Sequence, residues 1–221
     1  MTTLALYAQT DFSWFNEQYS YWVSQLNKKD KTRYTLMKSK VKQKQMVLSR
    51  ALISHALNQF NCSLQSGYEI LNYNTLKIPN RIKPFSLSIT HSGSIAAIIL
   101  SDQSVKLGID IEQLKTRNFA ELAKEVCTKV EIILINKRNN IQNDFYKLWT
   151  VKESLAKASQ STLTALYQCD CSSTLLNETG KLFWQGDSYY FENFKYHGYI
   201  GTVVTDKEHI APIKITLLHS E

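Results

Sequence analysis

The stretch "KLGIDIEQ", residues 106–113, places two carboxylates inside an apolar run. Because Ile109 and Ile111 alternate with Asp110 and Glu112, the pattern predicts a β-strand with one apolar face and one acidic face. Neighbouring carboxylates repel each other unless a cation lies between them. Two interpretations are open at this point: an edge strand whose acids are solvated, or a site for Mg²⁺, which prefers hard oxygen ligands.

The patterns on both sides of this strand indicate an α+β fold, because helical and then strand-like segments occur once before it and once after it. Helices are predicted at residues 11–26, 42–60, 118–135 and from 143 onwards, and strands at residues 85–90, 95–100, 105–112, 181–185, 188–196, 199–205 and 213–218. The repetition predicts two similar halves, residues 1–104 and 105–221. "KLGIDIEQ" would therefore open the second half.

The composition is that of an ordinary globular protein, with 43 % apolar and 20 % charged residues in a chain of 221. The N-terminus lacks a secretory leader pattern, and no apolar run is long enough for a membrane span. We therefore expect a cytoplasmic protein without a membrane partner. The four cysteines are too sparsely arranged for a zinc site, and we expect free thiols at Cys62, Cys127, Cys169 and Cys171.

The positive charge of the chain is concentrated in one segment. The net charge is +7, and residues 28–50 contain nine lysines and arginines against one acid, Asp30. Such a segment indicates a polyanionic partner, which could be a nucleic acid, a phosphate-rich small molecule or an acidic protein. A solvated helix face is the simpler alternative.

A second motif, "WTVKESLAK" at residues 149–157, has the spacing of a helix face. Glu153 and Lys157 lie four residues apart, in the order that favours an ion pair on an exposed helix. The functional interpretation is that Glu153 supplies a third carboxylate to a metal and that Lys157 contacts a phosphate or the reacting group.

A third motif, "SITHSG" at residues 88–93, joins two predicted strands. Gly93 permits a tight turn after His91 and Ser92. A single histidine is more often structural than catalytic, but a turn of this composition could also bind phosphate through side chains and backbone N–H groups.

Together these motifs resemble the 4′-phosphopantetheinyl transferase superfamily. "GIDIE" at residues 108–112 is preceded by "SITHSG" and followed by "LWTVKESLAKA" at residues 148–158. The resemblance covers about residues 28–205. It is closer to the larger, pseudo-dimeric class, the surfactin-synthetase-activating type, than to the short holo-acyl-carrier-protein synthases, because a whole N-terminal half precedes the acidic motif.

The resemblance implies two similar α+β subdomains related by a pseudo-twofold axis, with the active site at their interface. It implies an enzyme, a holo-[acyl-carrier-protein] synthase or 4′-phosphopantetheinyl transferase. Such an enzyme moves the 4′-phosphopantetheine group from coenzyme A to a serine of an apo acyl or peptidyl carrier protein. The reaction depends on Mg²⁺ and releases adenosine 3′,5′-bisphosphate. We expect a monomer with no nucleic-acid partner; a catalytically inactive family member and a basic nucleic-acid-binding protein are the alternatives.

The resemblance also implies a role for each motif residue. Asp110, Glu112 and Glu153 correspond to the magnesium ligands of the family. Glu153 and Lys157 are the catalytic candidates, with Glu153 preferred as the base that takes the proton of the carrier serine.

The expected contacts with coenzyme A lie in the first half of the chain. His91 and Ser92 correspond to the turn that contacts the nucleotide. Lys42 and Lys44 lie in the basic segment that binds its 3′-phosphate, where the family usually has arginine. Lys77 takes the place of a lysine in a family motif that is not intact here, where the sequence reads "TLKIPN".

Overall fold

The structure is a computed structural model that describes residues 3–62, 67–71, 74–208 and 215–217. Its contacts divide the chain into two units. The first unit holds the described residues up to 104 together with 215–217, and the second holds residues 105–208. The final described strand, residues 215–217, pairs within the first unit, and the division into two similar halves stays a prediction.

The helices and strands follow one another along the chain in a mixed order. In the first part these are β1 (Thr3–Gln9), α1 (Ser13–Glu17), α2 (Tyr19–Ser24), α3 (Lys28–Leu36), α4 (Lys40–Gln59), β2 (Glu69–Leu71), β3 (Thr75–Lys77), β4 (Phe85–Ser92) and β5 (Ile95–Ser101). They are followed by β6 (Leu107–Gln113), α5 (Phe119–Val126), α6 (Lys129–Asn136), α7 (Ile141–Ser159), α8 (Leu163–Leu166), α9 (Ser173–Leu176), β7 (Thr179–Trp184), β8 (Asp187–Tyr196), β9 (Tyr199–Thr205) and β10 (Ile215–Leu217).

In the first unit, α4 packs against a sheet with the strand order β10-β1-β5-β4-β3-β2. Leu48 and Leu52 of α4 and Ile98 of β5 are fully buried in this core. The side chain of Ser39 caps the helix by accepting from the N–H of Lys42. The first turn extends beyond the core, so its lysines are exposed.

In the second unit, α7 packs against an antiparallel sheet with the strand order β6-β9-β8-β7. Leu148, Val151 and Leu155 of α7 are fully buried. The helix begins after Asn140, whose side chain accepts from a backbone N–H, and ends at Gln160 in the left-handed region. β6 lies at one edge of its sheet.

The predicted α+β class is confirmed by these two mixed units, while the pseudo-twofold axis stays a prediction. Two predicted helices are each interrupted. The segment 11–26 breaks at Gln18, and 118–135 breaks at Cys127, where the backbone is extended. The second break has a clear cause, because Thr128 and Glu131 form a capping box that begins a new helix. β1 was not predicted.

Two expectations from the composition can be compared with the described residues. The four cysteines are free, as predicted. None of the helices in the described ranges has the length and apolar character needed to cross a membrane.

Candidate active site

Gly108 allows α7 to lie unusually close to β6. A Cβ atom at this position would be 1.8 Å from the backbone oxygen of Ser154. Residues 108, 110 and 112 share one face of the strand, so this close approach brings the acidic face of β6 against the helix that carries Glu153 and Lys157. The glycine of "GIDIE" is therefore explained by packing.

We expect Gly108→Ala to lower the free energy of unfolding by about 1–3 kcal/mol, because the added methyl group must displace the backbone of α7. Urea denaturation followed by circular dichroism measures this loss. The same displacement would move Glu153 and Lys157 relative to the strand. Stability within about 0.5 kcal/mol of wild type, the usual range for a surface substitution, would contradict the close approach.

Lys157 provides the cation that makes Asp110 tolerable in a buried position. Its Nζ donates to Asp110 Oδ1 at 2.8 Å and to the carbonyl oxygen of Ile109 at 2.9 Å. The Asp110 side chain is only 8 % exposed. Although β6 is an edge strand, Asp110 is thus a buried, paired carboxylate and not a solvated one. The helix-face ion pair with Glu153 is not the contact that the structure gives to Lys157.

Glu153 lies in the field of both acids of the strand. Burial is the largest cause that raises the pKa of its carboxyl group, and the negative charges of Asp110 and Glu112 raise it further, while Lys157 lowers it. The three predicted ligands are therefore electrostatic neighbours. Among the described residues, however, no group of three acidic, histidine or cysteine side chains is arranged to hold a metal ion.

The donor chemistry still fits Mg²⁺, because all three side chains offer carboxylate oxygens and mutual repulsion already raises the pKa of Glu153. A positive charge beside Asp110 is supplied by Lys157 in this structure. The predicted acids thus lie close together, and the ammonium group of Lys157 supplies positive charge beside them.

A buried hydrogen-bond network holds α7 in register with the sheet. Thr150 Oγ1 lies 2.8 Å from Thr202 Oγ1, and Ser154 Oγ donates to the carbonyl oxygen of Thr202 at 2.7 Å. Thr202 is the residue of β9 that pairs with Asp110 in the ladder. The network therefore ties α7 to β9 at the residue that pairs with Asp110. Its members were not singled out from the sequence, although Thr150 and Ser154 lie inside the "WTVKESLAK" motif.

Lys152, the other lysine of that motif, has a structural position. It is fully buried and lies 3.0 Å from Glu131 Oε2, which is also fully buried. Its Nζ further donates to the carbonyl oxygens of Leu166 and Cys169. Glu131 accepts from the backbone N–H groups of Thr128 and Cys171. The pattern Thr-x-x-Glu at residues 128–131 was the available signal for this anchor.

The first unit contains a cavity of about 860 Å³ whose wall is rich in cations. Lys42 and His91, two of the predicted coenzyme A contacts, line it. The wall also contains the basic residues Lys28, Lys29, Arg33 and Arg50. The sequence identified these four only as part of the basic segment and not as contacts of a particular site. Apolar side chains complete the wall, among them Met46, Ile70 and Ile89.

The other predicted coenzyme A contacts do not line this cavity. Lys44 donates to Asn16 Oδ1 at 3.1 Å, and Lys44, Lys77 and Ser92 are not among the residues that line the cavity. The structure therefore separates Lys42 from Lys44, which the sequence left equivalent.

The charge of Arg50 is matched by a bidentate contact within the wall. Its Nε donates to Asp30 Oδ2 at 2.6 Å and its Nη2 to Asp30 Oδ1 at 2.9 Å. This pair is mutually neutralised. The wall also contains Glu69, and its excess positive charge comes from Lys28, Lys29, Lys42 and Arg33.

Residues 106–204 match the model of a family described as the 4′-phosphopantetheinyl transferase superfamily. A protein of Haemophilus influenzae, named "Putative 4'-phosphopantetheinyl transferase", is 35 % identical over 74 residues, which cover 32 % of this chain and 32 % of the relative. The match thus spans about a third of that relative. The segment 106–204, which contains Asp110, Glu153 and Lys157, is therefore similar to the 4′-phosphopantetheinyl transferase superfamily.

Proposed function

We propose that this protein transfers the 4′-phosphopantetheine group of coenzyme A to a serine of an apo carrier protein, in a Mg²⁺-dependent reaction that releases adenosine 3′,5′-bisphosphate. One observation carries the proposal: within the segment that matches the family, β6 and α7 bring Asp110, Glu153 and Lys157 to one neighbourhood. Buried charged groups held together in this way are typical of functional sites.

In the proposed site, Asp110, Glu112 and Glu153 hold the magnesium ion. When bound, the ion would neutralise the charge that develops on the pyrophosphate of coenzyme A. Lys157 lies against Asp110 and carries a positive charge at the same place, so we assign it to a phosphate oxygen of the substrate. Positioning and charge neutralisation are the main demands of phosphoryl transfer.

The carrier serine must lose its proton as it attacks. Its Oγ forms a bond with the phosphorus next to the pantetheine, and the bond from that phosphorus to the bridging oxygen breaks as adenosine 3′,5′-bisphosphate leaves. We assign the proton to the carboxylate of Glu153, because this group is an electrostatic neighbour of Asp110 and Glu112 at the proposed site and a carboxylate can accept a proton. Lys157 is the second candidate.

The cation-rich cavity of the first unit is the proposed site for the nucleotide part of coenzyme A. Its wall combines lysines for phosphate with apolar side chains such as Met46 and Ile89. Lys42 and His91 are the proposed contacts within it. The roles of Lys77 and Ser92 stay predictions from the family resemblance alone.

Lys42 and Lys44 offer a matched test of this assignment. We expect Lys42→Met to weaken coenzyme A binding about tenfold, the loss of one charge-assisted contact with phosphate. Lys44→Met, the same change two residues away, should alter the affinity by less than about twofold, since Lys44 bonds to Asn16. Isothermal titration calorimetry measures both. A larger effect at Lys44 than at Lys42 would contradict the proposed site.

The function itself is tested by following product release. Purified protein is mixed with coenzyme A, Mg²⁺ and an apo acyl carrier protein or apo peptidyl carrier domain, and the nucleotide products are separated by chromatography. Adenosine 3′,5′-bisphosphate should appear only when both carrier and Mg²⁺ are present. Absence of this product with every carrier tried, despite tight binding of coenzyme A, would instead favour a catalytically inactive family member.

A further inference from the structure

Helix α6 presents an apolar surface to solvent. On one face of Lys129–Asn136 the side chains of Val130 and Ile133 are 50 % and 54 % exposed. Lys129 and Lys137 lie at the two ends of this face and are also exposed. No acidic residue lies on the exposed part of the helix, because its only acid, Glu131, is fully buried. We call Lys129, Val130, Ile133 and Lys137 the α6 face.

The opposite side of the helix is firmly anchored. Glu131 forms the buried ion pair with Lys152, accepts from the N–H of Cys171 and completes the capping box at Thr128. Ile135 is also buried. The orientation of α6 is therefore fixed from within, and the exposure of two large β-branched side chains is a fixed property of the surface.

The anchor also connects the α6 face to the proposed site. Lys152, the partner of Glu131, immediately precedes Glu153 on α7. A molecule bound to α6 is thus held by an element that is fixed to the helix carrying the proposed base.

We propose that the α6 face is the docking surface for the carrier protein. The inference rests on the proposed function, which requires a protein substrate. Exposed aliphatic side chains between two exposed lysines, Lys129 and Lys137, fit an acidic partner that also offers apolar contacts. Carrier proteins are typically acidic, and the apolar centre supplies contact area while the lysines steer the encounter.

The test separates docking from chemistry. The double variant Val130→Ser/Ile133→Ser is compared with Leu176→Ser, which removes another exposed aliphatic side chain of the same unit. Leu176 is 68 % exposed and lies outside α6. We expect the double variant to raise KM for the carrier about tenfold with kcat nearly unchanged. Leu176→Ser should match wild type, and the melting temperatures of all three proteins should agree.

A binding measurement removes any dependence on turnover. The probe is an apo acyl carrier protein whose reactive serine is replaced by alanine. Its affinity, measured by calorimetry, should fall about tenfold with the double variant. The charge-reversed variant Lys129→Glu/Lys137→Glu should also weaken binding and flatten its dependence on salt.

The possible failures are distinguishable. If wild type modifies no carrier, the proposed function fails. If wild type modifies a carrier, and the double variant keeps the wild-type KM and the wild-type affinity for the alanine carrier, the docking inference fails while the function stands. Equal losses in Leu176→Ser would likewise overturn it, because exposure alone would then account for the effect.

Discussion

Replacing Asp110 by asparagine is expected to lower kcat/KM for phosphopantetheine transfer by about 10²–10³-fold. The amide keeps the shape of the side chain but removes the charge that pairs with Lys157 and that the proposed metal site requires. Asp110 is buried beside the helix that carries the proposed base, so the charge acts at short range in a poorly solvated place.

The matched control is Asp187→Asn, the same change at an exposed aspartate of the second unit that pairs with Lys106. It should leave both activity and Mg²⁺ dependence unchanged. Steady-state kinetics over a range of Mg²⁺ concentrations compares the two variants, and urea denaturation checks that both are folded. Wild-type turnover by a folded Asp110→Asn variant would remove Asp110 from the site.

Lys152→Met is expected to cause the largest loss of stability, about 3–5 kcal/mol in the free energy of unfolding, because it leaves the fully buried Glu131 without its cation. The carbonyl oxygens of Leu166 and Cys169 also lose their donor. Chemical denaturation, or the melting temperature where the variant is too unstable for titration, measures the effect.

A control on the same helix tests whether the loss of stability is specific to Lys152 or follows from removing any paired lysine. Lys147 pairs with Glu178, whose side chain is 60 % exposed, so Lys147→Met leaves a carboxylate that water can solvate. Its cost should be no more than about 1 kcal/mol. The double variant Glu131→Met/Lys152→Met should cost less than the sum of its two single variants. Additive losses, or equal losses at Lys147 and Lys152, would show that the buried pair is not coupled.

Periodicity predicted the elements that have a regular pattern and a continuous core. The strand at "KLGIDIEQ" and the helix at "WTVKESLAK" both lie close to their predicted positions, because alternation and helical spacing are local properties of the sequence. The break at Cys127 was missed, although the Thr128–Glu131 capping pattern signals a new helix within an otherwise helical segment.

Contacts between segments that are distant along the chain could not be predicted from the sequence. The spacing of Glu153 and Lys157 suggested a pair along the helix, whereas Lys157 bonds to Asp110 on a strand far away in sequence. The same holds for Lys152 and Glu131. Such partners depend on how close α7 lies to its neighbours, and that distance is set in part by the missing side chain of Gly108.

Modification of a carrier serine is measured most directly by the mass of the intact carrier protein. After incubation with the protein, coenzyme A and Mg²⁺, an apo acyl carrier protein should gain about 340 Da, the mass of one covalently attached phosphopantetheine group. The same carrier with its serine replaced by alanine should gain nothing. An unchanged mass for every apo acyl and peptidyl carrier tried, with wild-type protein that is folded and binds coenzyme A, would contradict the account.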